Sequence, residues 1–288
     1  MTALLAHIET ILAQHLPKDN ARLAQAMRYS TLKAGKRLRA QIVYACAQDF
    51  SLERAQVDPA AAAIECLHAY SLIHDDLPAM DNDDWRRGKP SNHKAFDEAT
   101  AILAGDALQT QAFAILAQSA PSTQNSPHII LKQIARLAQA AGAEGMVGGQ
   151  MLDIQHTATN SIDLPTLSRI HQGKTAALIT AALHLGALPA ASYPEHQQTL
   201  EQIGTHLGLA YQIIDDILDA TADSQTLGKT AGKDAAQQKQ TYISHLGLQQ
   251  SRAQAIHHSQ QAAQAIAQLP NQGTHLTALL HTLTTRTH

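Results

Sequence analysis

The chain has 288 residues, 44% hydrophobic but only 3% aromatic, and a formal net charge of −3. That length suits one large domain or two small ones, with apolar material enough for a substantial core. The charge lacks the basic excess of a nucleic-acid binder, and two cysteines, Cys46 and Cys66, make neither a disulfide framework nor a CxxC metal site.

Ala and Leu dominate the apolar set, and both favour helix over strand. The first stretch, MTALLAHIETILAQHL, lacks the basic head and apolar block of a signal peptide, and no run of about twenty apolar residues stands out as a membrane span. The expectation is a soluble cytoplasmic protein without stable membrane association. Leu4, Leu5, Ile8, Ile11 and Leu12 form a helical stripe. A second helix is predicted from Asp19 or Asn20 to near Gly35. Asp58-Pro59 has the form of a helix start, an N-cap acid followed by proline. That helix should run through AAAAIECLHAYSLIHDD until Pro78 interrupts it. Further helices are predicted near 97–118, 127–150, 165–188, 195–221, 240–268 and 272–284. Nothing alternates as strands do, and no linker or repeat divides the chain. Residues 1–288 read as a single all-α domain of roughly ten or more helices, with function at helix ends and loops. The 17 histidines are scattered without paired ligand spacing and read mostly as surface residues.

Two acid clusters stand out, His74-Asp75-Asp76-Leu77-Pro78-Ala79-Met80-Asp81-Asn82-Asp83-Asp84 and Asp215-Asp216-Ile217-Leu218-Asp219. On a helix Asp215 and Asp219 lie roughly 40° apart around the axis, so their carboxylates share a face and repel unless a cation intervenes. Oxygen-only ligands of this kind suit Mg²⁺. Asp75 and Asp81 would lie roughly 240° apart on a regular helix, so Pro78 should break the helix into an irregular turn that returns Asp81 toward Asp75. Either cluster alone could be a solvated helix end. Each, however, abuts an apolar stretch, and basic residues accompany them: Lys36, Arg37 and Arg39; Arg86 and Arg87; Lys174; Lys229 and Lys239. Acids beside bases make sense if Mg²⁺ and phosphate complete the charge balance.

The segments LKAGKRLRA, ECLHAYSLIHDDLPAMDNDDWRRGKPSNH, AILAGDALQ, GMVGGQMLD, HQGKTAALI and YQIIDDILD, with TLGKTAGKD after it, occur in that order. In this they resemble the trans-prenyl diphosphate synthases, most nearly the bacterial farnesyl diphosphate synthases. The resemblance implies an isoprenoid synthase fold around a deep central cavity, a homodimer, and small-molecule isoprenoid diphosphates as substrates. It implies Asp75, Asp76 and Asp81, with Asp215, Asp216 and Asp219, as ligands of three Mg²⁺ ions. By the same match, Lys36, Arg39, His68 and Arg87 hold isopentenyl diphosphate. Arg86, Lys174, Lys229 and Lys239 hold the allylic diphosphate, and Thr175 and Gln212 line the reacting carbon. Tyr70 stands about 7.5 Å deeper than Asp75 along the helix and, with Ser71, would set product length. The family's usual GGKRLRP reads AGKRLRA here, its FQ reads Tyr211-Gln212, Trp85 replaces a common Leu, and its HKTG reads Gly173-Lys174-Thr175-Ala176.

The implied activity is head-to-tail condensation of isopentenyl diphosphate with dimethylallyl and geranyl diphosphates to (2E,6E)-farnesyl diphosphate. The alternatives are a geranylgeranyl or other short-chain synthase, a non-catalytic prenyl-diphosphate-binding subunit, and a terpene cyclase. Intact aspartate sets weigh against the silent subunit, while GKRLR and His68 weigh against the cyclase. His74 beside Asp75 could suggest an HD-type phosphohydrolase, but no further histidine ligands accompany it.

Overall fold

The computed structural model describes residues 2–33, 35–157, 162–221 and 240–284. These form an α-helical bundle: α1 Thr2–His15, α2 Arg22–Thr31, α3 Leu38–Asp49, α4 Arg54–Asp75, a hairpin of β1 Trp85–Arg86 and β2 Lys89–Pro90, and the single turn α5 Asn92–Ala95. There follow α6 Glu98–Ala117, the single turn α7 Ala120–Thr123, α8 Pro127–Ala141, α9 Met146–Thr157, α10 Leu164–His171, a π-helical turn Gln172–Ala176 and α11 Ala177–Ala187. The chain continues with α12 Tyr193–Thr221, α13 Tyr242–Ile266, a 3₁₀ turn Pro270–Gly273 and α14 Thr274–Thr284.

Helix α4 is the axis on which the site depends. Its middle is buried on nearly every side, from Ala60 through Leu67 to Ile73, because α3, α6 and α11 all pack against it. Four consecutive alanines, Ala60–Ala63, let those neighbours approach closely. One apolar cluster runs from Ile8 and Leu12 of α1, through α3, α4, α6 and α11, to Leu280 and Leu283 of α14. A smaller cluster of Leu167, Ile170, Ile213, Tyr242 and Ala255 ties α10 to α12 and α13.

Several expectations need correction. Helix α4 begins at Arg54, where Glu53 and Gln56 make a capping box, so Pro59 lies inside the helix. Asp58 is not an N-cap; its carboxylate pairs with the His7 ring at 2.8 Å and accepts from the Tyr44 hydroxyl at 2.5 Å. The span 127–150 is two helices parted at Gly142–Gly145, and 165–188 is interrupted by the π turn. A two-residue hairpin is present where no strand was expected; its turn, Arg87-Gly88, has φ of 54° and 75°, as a tight hairpin with right-handed twist requires. Helix α6 is long and apolar enough to cross a membrane by length and composition, with a mean hydropathy of 1.2. Its buried residues Ala101, Ala104, Leu108 and Ala112 pack into the bundle against α4.

Candidate active site

The C-terminal end of α4 opens into a cavity of about 910 Å³. Asp75 of α4 and Asp215 of α12 both line it, with Lys174 and Thr175 of the π turn between them in the chain. Tyr70 and Ser71 of α4 and Met146, Val147 and Met151 of α9 line the same cavity and give it a largely apolar stretch of wall.

The loop after α4 has the irregular form expected from Pro78. The Asp81 amide donates to the Asp75 carbonyl at 2.9 Å, Asn82 N to Leu77 O at 3.1 Å and Asp83 N to Asp76 O at 3.1 Å. These bonds fold residues 76–83 back on the helix end, returning Asp81 to the neighbourhood of Asp75. Burial raises the Asp75 carboxyl to about 6; Lys174 opposes that rise and Asp81 adds to it. Acids crowded in a partly dry cavity favour either a proton or a cation between them.

Asp76 faces elsewhere. It is 2% exposed and gripped by Arg86, whose Nε donates to Oδ1 at 3.0 Å and to Oδ2 at 3.2 Å, while Nη2 also reaches Oδ1. Asp216 is likewise engaged: Oδ1 accepts from Gln212 Nε2 at 3.1 Å, and Oδ2 accepts from the backbone amide of Tyr242, the first residue of α13, at 3.1 Å. Asp219 is buried. Asp76 and Asp216 thus already have protein partners. Their oxygens hold Arg86 and the α12–α13 junction, and the cavity-facing members are Asp75 and Asp215. Arg86 lines the cavity as expected, but with its charge already matched by Asp76.

The π turn explains how Lys174 and Thr175 enter the cavity. A wider turn displaces side chains from the regular helical register, a device often found at functional sites. Two glycines permit it. A Cβ on Gly149 would sit 2.2 Å from Lys174 N, and one on Gly173 would sit 2.7 Å from the Gly149 Cα, so α9 and the π turn touch backbone to backbone. Lys174 Nζ donates to Asp153 Oδ2 of α9 at 2.6 Å. Burial opposes its charge, but Asp153 and then Asp75 outweigh burial and hold the ammonium above its ordinary pKa. Thr175 Oγ1 donates to Gln212 Oε1 at 2.8 Å, so Thr175, Gln212 and Asp216 form one chain of hydrogen bonds. Asp153 ends the segment GMVGGQMLD, and because 21 residues separate it from Lys174 no local spacing could pair them.

Arg39, His68 and Arg87 also line the cavity. Nη2 of Arg87 stands 3.5 Å from Nε2 of His68. The buried Nε of Arg39 and Nδ1 of His68 have no hydrogen-bond partner among the described residues. Burial, then Arg39, Arg87, Arg86 and Arg37, drives the His68 imidazole well below its ordinary pKa, so it is neutral and can donate one N–H. Gly35 has φ of 72°, and a Cβ there would fall 2.5 Å from the Arg87 guanidinium carbon, so Arg87 lies directly over the 35–36 backbone. Lys36 is exposed beside this group. Lys229 and Lys239 fall outside the described residues. His74 is tied to α6, its Nε2 3.0 Å from the Ile102 carbonyl, with Gly105 leaving the space its ring occupies.

Residues 20–281 match the family described as Polyprenyl synthetase. The chain belongs to the polyprenyl synthetase family. Within that family it is 46% identical, over 265 residues, to the farnesyl diphosphate synthase of Escherichia coli, spanning 92% of this chain and 88% of that one. It is 45% identical, over 237 residues, to the large subunit 1 of the chloroplastic heterodimeric geranylgeranyl pyrophosphate synthase of Arabidopsis thaliana, spanning 82% of this chain and 64% of that one. The geranyltransferase of Helicobacter pylori, solved with magnesium and isoprenyl diphosphate, superimposes with a TM-score of 0.86 at 34% identity, covering 98% of this chain and 95% of that one. The all-α architecture is thus that of solved isoprenyl synthases of the family.

Proposed function

We propose that this chain is a magnesium-dependent prenyltransferase that joins isopentenyl diphosphate head-to-tail to dimethylallyl and geranyl diphosphates, giving farnesyl diphosphate. The observation that carries this reading is a single cavity lined by Asp75 and Asp215 from two helices, by the basic group Arg39, His68 and Arg87, and by apolar side chains of α4 and α9.

The donor set fits Mg²⁺, since only carboxylate oxygens are offered and the Asp75 carboxyl is raised by burial and by Asp81. Asp75, Asp76, Asp81, Asp215, Asp216 and Asp219 would hold the ions, three in the proposed arrangement, with Asp76 and Asp216 steadied by Arg86 and the Tyr242 amide. Bound Mg²⁺ would neutralise charge on the allylic diphosphate as the C–O bond breaks. Lys174 is held as an ammonium and stabilises the departing diphosphate from the protein side, with Lys229 and Lys239 proposed to assist. Arg86, fixed by Asp76, adds a positioned positive charge at the same end. The isopentenyl double bond attacks the allylic carbon, oriented by Lys36, Arg39, His68 and Arg87 on its own diphosphate. The amide oxygen of Gln212 and the hydroxyl of Thr175 present dipoles to the electron-poor carbon. The released diphosphate takes the proton lost as the new double bond forms. Close apolar walls favour capture by the alkene over capture by water.

Tyr70, 7% exposed and packed edge-on to His74 with centroids 5.3 Å apart, is the proposed floor of the cavity beside Ser71. A homodimer and cytoplasmic residence complete the proposal. The exposed pair Ile102 and Leu103 on α6 supports self-association, which sedimentation would test. The function itself is tested by incubating the protein with dimethylallyl and isopentenyl diphosphates and Mg²⁺ and identifying the products. Farnesyl diphosphate is expected. A geranylgeranyl product would move the reading to the neighbouring synthase, and no elongation with intact substrates would overturn it.

A further inference from the structure

Arg37 has no part in the proposed chemistry, yet it is a buried cation, 4% exposed, just before α3 and in left-handed conformation with φ of 54°. Its Nε donates to Glu9 Oε1 at 2.8 Å, and its Nη2 donates to the same oxygen and to the Thr31 carbonyl. Its Nη1 faces Glu65 Oε2 at 3.4 Å. Each carboxylate also takes a backbone amide at one end of the same segment: Glu9 Oε2 accepts from Lys33 N at 2.8 Å, and Glu65 Oε1 accepts from Ala40 N at 3.0 Å. Residues 33–40 are therefore bracketed at both ends, with Arg37 as the link between the brackets. This short stretch carries Lys36 and Arg39, and its Gly35 underlies Arg87.

The two acids come from different helices. Glu65 is 2% exposed and sits one turn before His68 on α4. A carboxylate at the start of α3 also suits that helix's dipole, and Arg37 itself supplies no side-chain cap. Glu9 comes from α1, which precedes the residues 20–281 matched by the family. Burial lowers the pKa of both Arg39 and Arg87, and Glu65 heads the charges that offset it at each. Buried charges are costly unless well paired, so the arrangement fixes geometry rather than adding bulk stability.

We propose that Glu9 and Glu65 form a two-carboxylate clamp on Arg37 that positions Lys36, Arg39 and Arg87 for the head group of isopentenyl diphosphate. The proposal rests on the prenyltransferase reading above and names Glu9 and Glu65 as positioning residues. Charge alone predicts the opposite effect: deleting an acid behind a basic wall should tighten diphosphate binding. The sign of the change therefore separates the two accounts.

The test uses the full chain with Glu9→Ala, Glu9→Gln and Glu65→Gln, measuring KM for each substrate, kcat, thermal melting, and calorimetric binding of isopentenyl diphosphate alone. Glu9→Ala should raise KM for isopentenyl diphosphate about tenfold while allylic KM and kcat stay within about twofold. Glu9→Gln should stay within about threefold of the parent, because its amide oxygen still accepts from Arg37. An unchanged or lower isopentenyl KM in a folded Glu9→Ala protein overturns the clamp, as does an equal rise in both KM values. Should Glu9→Ala not fold, Glu65→Gln decides: the Glu65 side chain is 3% exposed, so the new amide N–H must face Ala40 N or Arg37, whereas at the 31%-exposed Glu9 side chain it can turn to water, and no weakening of isopentenyl diphosphate binding in Glu65→Gln overturns the clamp. If the parent protein turns over no substrate pair, the prenyltransferase reading fails. Calorimetry then decides the clamp separately: weaker binding by the variants supports it and unchanged binding overturns it.

Discussion

Replacing Tyr70 with alanine should lengthen the product by at least one five-carbon unit. The phenol lies on α4 five residues before Asp75, about 7.5 Å deeper at about 1.5 Å per residue, so it meets the tail of a growing chain whose diphosphate end is held near Asp75. Removing the ring opens the cavity to the next unit. Burying five carbons at about 0.8 kcal/mol each gives at most about 4 kcal/mol. That is enough to shift the competition between elongation and release by up to about 10³. Truncating a fully packed aromatic costs about 3–5 kcal/mol of stability. Tyr70 faces a cavity on one side, so its cost should sit at the lower end, and a thermal melt confirms that the variant is folded. The assay is elongation with labelled isopentenyl diphosphate from dimethylallyl and geranyl primers, followed by chromatography of the dephosphorylated alcohols. A folded variant with the same product distribution as the parent would refute the claim that Tyr70 is the floor.

Other perturbations have equally definite outcomes. Asp75→Ala should reduce turnover by at least about 10² while leaving the melting temperature nearly unchanged, because the side chain lines the cavity and supports no helix; full turnover at saturating Mg²⁺ contradicts the assignment. Gly149→Ala should lower both stability, by about 1–3 kcal/mol, and kcat, because its Cβ would strike the Lys174 backbone 2.2 Å away; unaltered melting and kinetics would show that the π turn is not held there. His171 is 7% exposed and in tilted ring contact with Tyr242, and burial lowers it to about 4, opposed by Asp153 and aided by Lys174. An unfolded chain protonates this ring near its ordinary value, so its contribution is complete above about pH 6.5 and declines as pH falls toward 4, by about 2 kcal/mol at pH 5. Urea titrations at pH 7.5 and 5 should show a smaller acid loss in His171→Phe, and an identical loss would dismiss His171 as a source.

Much of the site was legible because its chemistry is local in sequence. Asp75 and Asp81 are separated by a proline, and the turn forced by that break is the one observed. Tertiary choices were less visible. Asp75 and Asp76 are adjacent, yet one faces the cavity and the other Arg86, a division set by a hairpin that no strand pattern announced. Asp58-Pro59 has the local form of a helix start, but His7 and Tyr44 claim the aspartate and the helix begins at Arg54. Asp153 and Glu9 reach their partners across 21 and 28 residues, separations at which periodicity carries no information. The histidines read as scattered also hide long-range pairing: His206 and His258, 52 residues apart, place their Nδ1 atoms 2.9 Å from each other.

The bond from Tyr242 N to Asp216 has a bearing on how such a chain can diverge. It fastens the start of α13 to α12 five residues before α12 finishes, so the two ends that the joining segment must connect are held near each other. Closing such an excursion costs only about 0.6 kcal/mol more for each doubling of its length. Descendants could change the length of residues 222–239 at little closure cost while Asp215 kept its aim, provided Lys229 and Lys239 still reached the diphosphate, and a single aspartate would be the hinge-pin of such tinkering.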